Sequence, residues 1–341
     1  MKFLVFATFF GISFAICDFN DCQSCAGDNN CLWDLGTNKC EHTRSPLENQ
    51  PNMVPQPLSC PASLPAFRYT DDFGRNIAFP FAMASNAEGV ENVTKCPAAK
   101  IPTVQVLKQY TVGCDFLNSS CSATLFFYSN ANALVLAFRG SKGTAQFTIE
   151  ASNLISYGSK TSPLYDGKVF SYFANAIELF WNGGLAEDLR IHLRNNQNTL
   201  LWVFGHSLGG SLATLAANAA VKNGFVTGNR VVVTTMGEPR TGDYDFASDV
   251  TNNVPQTYRI VKKSDLITKI PVKILSKQTN AYHNNFEVWY NNNMTVGDSF
   301  VINNRADDYS GSNAVSFDGG NYHNSYFDVD MDNYVENQCS L

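Results

Sequence analysis

Positive charge is scarce in this 341-residue chain. Lys and Arg total 24 against 30 Asp and Glu, a formal net charge of -6. No basic block interrupts that balance, which removes the electrostatic footprint expected of a nucleic-acid-binding protein. Charged residues of both signs make up only 16% of the chain and hydrophobic ones 44%, a globular composition and not a disordered one. Beyond the N-terminus no run of apolar residues is long enough to span a bilayer. Internal repeats are absent. Histidine is rare, with five residues at 42, 192, 206, 283 and 323, so any imidazole chemistry has few candidates.

Cysteine, by contrast, is plentiful, with ten residues. Their meaning depends on compartment, because disulfides persist after export whereas cytosolic clusters more often bind metal. Residues 1–15, MKFLVFATFFGISFA, have a minimal charged start at Lys2, an apolar core and small residues at Ser13 and Ala15. This is the pattern of a secretory signal peptide. Cleavage after Ala15 keeps Cys17 and an even cysteine count, whereas cleavage after Cys17 leaves an odd one, so the first is expected. Three sequons, at Asn92, Asn118 and Asn293, suit an exported glycoprotein.

Residues 16–43 hold Cys17, Cys22, Cys25, Cys31 and Cys40 among polar residues and a lone Trp33. So short a segment cannot bury enough apolar surface to fold without crosslinks, so disulfides are expected. Its spacing loosely resembles the small cysteine-rich module of plexins, semaphorins and integrins, which implies a structural or adhesive role. Residues 44–65 carry six prolines and Cys60, and read as a linker of polyproline character.

Residues 66–341 alternate strand-like and helix-like stretches. Ala123–Tyr128 and Ala133–Phe138 read as a hairpin. Helical spacing runs from Lys168 to Arg194 with a break at Gly183-Gly184, and Ser211–Val221 is a second helix. Thr199–Phe204, Arg230–Thr235 and Thr257–Val261 are short continuous apolar strands, as buried parallel strands are. Strand–helix–strand alternation implies an α/β fold with a mostly parallel sheet and flanking helices.

The strand at Thr199–Phe204 runs into Gly205-His206-Ser207-Leu208-Gly209, and a small-residue helix follows. Gly-x-Ser-x-Gly is unspecific alone, but between a buried strand and a helix it is a nucleophile elbow, a strained turn that lifts the serine hydroxyl above the sheet edge. Acyl transfer at Ser207 needs two N–H donors for the oxyanion. Leu208 supplies one, and Phe138-Arg139-Gly140-Ser141, closing an earlier strand, is placed to supply the other. It also needs an acid and a base in the chain order Ser, Asp or Glu, His. Asp265 follows a strand in a loop suited to the acid. His42 lies in the cysteine-rich segment, His192 on a charged helix, and His206 points away from the nucleophile by alternation. His283 and His323 remain as bases, and spacing favours His323.

These motifs resemble those of the class 3, fungal-type triacylglycerol lipases, which are α/β-hydrolases. The matching segments are Phe138–Ser141, Gly205–Gly210, Gly237-Glu238-Pro239-Arg240-Thr241-Gly242, Tyr258–Val261 with Asp265 and Pro271, and His323-Asn324-Ser325-Tyr326-Phe327. The resemblance covers about residues 66–341. It implies Ser207 as nucleophile, Asp265 as acid, His323 as base, Ser141 and Leu208 as oxyanion donors, and a structural role for His283. It also implies a lid over residues 142–156, with Phe147 and Ile149 as apolar contacts with a lipid–water interface. The family's usual lid Trp is missing there, and Leu-Ile-Thr follows Asp265 in place of the family's Asp-x-Val-Pro. No metal or cofactor is required.

The expected protein is thus a secreted, extracellular hydrolase of lipid carboxylic esters, with no transmembrane span and no nucleic-acid partner. The alternatives are a phospholipase, a carboxylesterase on non-lipid esters, or a non-catalytic secreted binding protein. Cys114 and Cys121 flank a short excursion and are expected to pair. The family's terminal cysteine, here Cys339, implies a bond to an early segment, with Cys60 and Cys96 as candidates. Oligomeric state is left open.

Overall fold

In the computed structural model, residues 17–43, 50–87, 89–98, 101–114, 120–141, 158–271, 281–337 and 339 are described. The expected signal peptide, Asn118 and the lid candidates Phe147 and Ile149 lie outside them.

The apolar strand segments assemble into one eight-stranded sheet whose spatial order follows chain order. Its strands are β1 (Val104–Gly113), β2 (Ser120–Tyr128), β3 (Ala133–Phe138), β4 (Leu200–His206), β5 (Val231–Met236), β6 (Thr257–Lys262), β7 (Phe286–Tyr290) and β8 (Val301–Asn303). The five strands from β3 to β7 are mutually parallel. The β1–β2–β3 meander and β8 add antiparallel edges.

The strands from β3 to β6 read as continuous apolar runs because both faces of the sheet are covered. Leu134, Leu136, Phe138, Leu201 and Val203 face helices Ser171–Phe180, Ala186–Arg194, Leu208–Lys222 and Tyr244–Asn253. Val135, Trp202, Phe204 and Val232 face the other way, onto Phe73, Phe79, Phe81, Tyr326 and Tyr334. The architecture is a three-layer α/β arrangement around a mostly parallel sheet, as the alternation predicts. No helix among the described residues is long and apolar enough to cross a membrane.

One boundary differs from the sequence reading. Lys168–Phe170 belong to a strand, Tyr165–Phe170, and the helix begins at Ser171. Val169 is claimed by a small antiparallel sheet with Ser159–Ser162, Gly242–Asp243 and Ala281–Tyr282, where it pairs with Gly242. The expected break falls at Gly184, whose φ of 107° interrupts the helix.

All ten cysteines are paired. Cys17–Cys31 and Cys25–Cys40 cross-link the N-terminal module around Trp33, where Cys31–Asp34 pairs with Lys39–His42. Cys22–Cys60 ties that module to the proline-rich stretch. Part of that stretch is built into the fold. Met53–Val54 adds a strand to the module's sheet. The Ser59 hydroxyl donates to the Ala306 carbonyl (2.6 Å), and Ala306 N–H donates to Leu58 O (3.1 Å). Cys114–Cys121 links the end of β1 to β2, and Cys339 pairs with Cys96.

The Cys96–Cys339 bond spans 243 residues and anchors the helix Met331–Glu336. Replacing both cysteines with Ser should lower unfolding stability by about 2–4 kcal/mol. Urea unfolding of the variant beside the native chain measures it, and an unchanged midpoint would contradict the assignment of a stabilising crosslink.

Candidate active site

β4 ends at His206 and the next helix starts at Leu208, so the reversal rests on Ser207 alone. Its backbone has φ 57° and ψ -128°, a region that a residue with a side chain occupies only when its surroundings enforce it. They do so here. A Cβ on Gly205 would overlap the Gly209 carbonyl, and one on Gly209 would overlap Phe138 O, so strand and helix meet more closely than side chains permit. Ser207 N–H is held by Met236 O at 2.8 Å, at the end of β5. Leu208 is the first helical residue, at the electropositive end of the helix dipole.

β3 delivers Ser141 through Arg139-Gly140. Arg139 N–H donates to Ser122 O (2.9 Å), and its guanidinium donates to the Ser120 hydroxyl (2.9 Å), which fixes the loop to β2. Gly140 runs against His206. A Cβ built on it would lie 3.0 Å from the His206 carbonyl oxygen.

β6 delivers Asp265 in the turn that follows it. The carboxylate is 1% exposed and engaged from three sides. His323 Nδ1 lies 2.9 Å from Oδ2 and 3.1 Å from Oδ1, Tyr326 Oη donates to Oδ2 at 2.8 Å, and Ile267 N–H donates to Oδ1 at 2.9 Å. Burial works to raise the Asp265 pKa. The His323 ring, the Tyr326 hydroxyl and the Ile267 amide outweigh it and hold the group below its ordinary value. The carboxylate accepts from a protonated His323 Nδ1, which leaves Nε2 unprotonated on the neutral ring. His323 Nε2 and Ser207 Oγ are both buried, and neither has a hydrogen-bond partner among the described residues.

Gly237 makes room for the Asp265–His323 pair. It follows β5 with φ +61°, and a Cβ there would stand 2.7 Å from His323 Nδ1 and 3.0 Å from Asp265 Oδ2. The Asp–His pair thus lies on the backbone next to Met236, which in turn holds Ser207. Sequence reasoning quoted the Gly237 and Tyr326 motifs without seeing what either side of them touches. The signal was present: a glycine that opens a strand-end loop, and a Tyr three residues after the His.

The other sequence candidates sort as follows. His283 is buried, and its Nε2 lies 2.7 Å from Thr268 O, while the Thr268 hydroxyl donates to Asp265 O at 2.8 Å. It braces the loop that carries Asp265. Arg240 does so as well, donating to Lys269 O (2.8 Å) and Pro271 O (2.9 Å) while paired with Asp307. His192 and His42 are exposed. Asn92 and Asn293 are exposed, the first in helix Val90–Ala98 and the second after β7. Among the described residues, the one cluster of metal-ligating types is Cys17, Cys31 and Cys40, all spent in disulfides.

Residues 135–274, from within β3 to beyond Asp265, match the family model for lipase (class 3). Over that stretch the chain is similar to class 3 lipases. A Caenorhabditis elegans lipase is 28% identical over 261 residues, which are 69% of this chain and 72% of that protein. The secreted mono- and diacylglycerol lipase A of Penicillium camembertii is also 28% identical, over 66% of this chain and 68% of its own. Among solved structures, the lipase of Rhizopus microsporus var. chinensis superposes with a TM-score of 0.67 at 18% identity, covering 85% of this chain and 98% of that one. That likeness shows a shared fold. The family match and the lipase-named relatives, and not the fold, mark the chain as an ester hydrolase.

The depressed pKa of Asp265 gives stability that is present above its unfolded value near about 3.9 and is lost as pH falls through the lower folded value. Tyr326→Phe removes one donor to the carboxylate. It should cost about 1.5–3 kcal/mol at neutral pH and move the acid-unfolding midpoint upward. Circular dichroism along a pH titration reads this, and a midpoint that stays in place would contradict it. Gly237→Ala should push His323 off Asp265 and lower kcat by about 10-fold or more. Unchanged kcat would show that the contact is not used.

Proposed function

We propose that this protein is a secreted enzyme that hydrolyses carboxylic esters of lipids through Ser207, His323 and Asp265. The carrying observation is that the Asp265–His323 pair lies against Gly237 beside the strained Ser207, with Ser207 Oγ and His323 Nε2 both buried and both unpartnered. Reactive groups are often slightly apart in the free enzyme and close on substrate.

In this reading His323 Nε2 takes the Ser207 proton as Oγ attacks the ester carbonyl. Asp265 stabilises the resulting imidazolium without accepting a proton. The carbonyl electrons move to oxygen, and the N–H groups of Leu208 and Ser141 receive the oxyanion, each worth about 3 kcal/mol. Collapse expels the alcohol, which takes the proton from His323. Water, activated by the same base, then releases the fatty acid and restores Ser207.

Several features support export. The disulfides require an oxidising compartment, the N-terminal residues 1–15 fit a signal peptide, and the sequon residues Asn92 and Asn293 are exposed for glycosylation. The glycerolipid esters named for the Penicillium relative supply the substrate class. The apolar residues of 142–156, Phe147 and Ile149 among them, supply the contact with the lipid surface.

Hydrolysis of a triglyceride emulsion, phosphatidylcholine vesicles and a soluble short-chain ester, measured side by side, tests this. The emulsion should be preferred, and Ser207→Ala should lose activity on all three by about 10^4-fold or more while keeping its circular dichroism. Ordinary turnover by Ser207→Ala would sink the assignment, and a preference for vesicles would make the enzyme a phospholipase.

A further inference from the structure

His206 has no part in the reaction just described, yet its imidazole lies among the loops that carry it out. Its Nε2 is 2.9 Å from the backbone carbonyl oxygen of His323. A carbonyl only accepts, so Nε2 carries the proton and donates. Its ring meets the His323 ring at a centroid distance of 4.5 Å and a tilt of 36°, and the Tyr326 ring edge-on at 5.9 Å. On the other side Gly140 closes down, and a Cβ built there would lie 3.3 Å from His206 Nδ1. One side chain, next to the nucleophile in sequence and 8% exposed, therefore touches both the base and the loop that leads to Ser141.

We infer that His206 is a positioning residue. Its Nε2–H holds the His323 backbone, and its ring backs the His323 ring, so that the base stays aimed at Ser207. The inference rests on the reading of Ser207 and His323 given above. Its warrant is geometric. His323 sits in a loop between 315 and 324 with no helix or long strand of its own. Asp265 and Gly237 both hold its ring at the Nδ1 edge, which leaves the ring face and the main chain to be fixed from elsewhere. The His206 contact, to the main chain and the ring face, does so. Charge is consistent with the role. Burial and the neighbouring His323 push the His206 pKa down to about 3. It therefore stays neutral while His323 becomes cationic, and no like charge opposes the imidazolium.

The test compares His206→Leu, His206→Phe and His206→Gln in the full-length enzyme, on a soluble ester, with each rate divided by the active sites counted from the acyl-enzyme burst. Leu loses both donor and ring, Phe keeps a flat ring without a donor, and Gln keeps an N–H at similar reach. The expected result is a kcat about 10–100-fold lower for Leu and Phe, with KM within about 3-fold of the native value. Gln should recover kcat to within about 5-fold. Counting sites separates a folding loss from a slower reaction, so a variant that folds only in part still reports. Equal kcat loss in Gln and Leu, or native kcat per site in Leu, would overturn the inference. Ser207→Ala in parallel keeps the two claims apart. If it is inactive while Leu is native-like, positioning alone fails, whereas if it is active the underlying triad reading fails.

Discussion

Everything in the candidate site depends on one close approach, the meeting of β4 and the helix Leu208–Lys222 at Gly205 and Gly209. Because those backbones touch, Ser207 must turn with a positive φ, and its hydroxyl must leave the sheet. The same contact brings Gly209 against the Phe138 carbonyl, so the turn at Ser207 and the end of β3 are spaced by backbone atoms and not by adjustable side chains. The strain at Ser207 is held by Met236 O and by the buried strands on either side.

From that fixed point the rest follows by chain order. Because β3, β4, β5 and β6 are parallel neighbours, their trailing loops emerge along one sheet edge and present Gly140, Ser207, Gly237 and Asp265 in succession. His323 does not come from that series. It arrives from near the C-terminus, and its place is set by what it touches: Asp265 at Nδ1, Gly237 under the ring, and His206 at the ring face and the main chain. Cys96–Cys339 and the aromatic cluster of Phe79, Phe327 and Tyr334 secure the same terminal segment to the opposite layer.

Much of this was legible in the amino-acid sequence. The buried strands, the elbow and the turn after β3 depend on local patterns, namely continuous apolar runs, glycines at fixed offsets and a small-residue helix. What was not legible depends on distant chain segments. Val169 is pulled into a strand by Gly242, some seventy residues on, against its helical spacing. His283 and His323 flank the same strand, and spacing could only favour one; the structure places His283 on Thr268 and His323 on Asp265. Alternation places His206 on the other side of the strand from its neighbour, but no local rule says that its ring meets His323 and Tyr326. The proline-rich stretch looked like a spacer because proline disfavours regular structure, yet Ser59 and Met53–Val54 are bound by partners that the local sequence does not announce.

The central claim is that the strained serine at position 207 is the group that attacks the ester. Reaction of the folded enzyme with a fluorophosphonate, followed by digestion and mass mapping of the adduct, tests this most directly. One equivalent of label on the peptide that contains Ser207, with ester hydrolysis lost in proportion, is the expected result. Full loss of hydrolysis with the label on another residue, or undiminished hydrolysis after Ser207 is labelled, would contradict it.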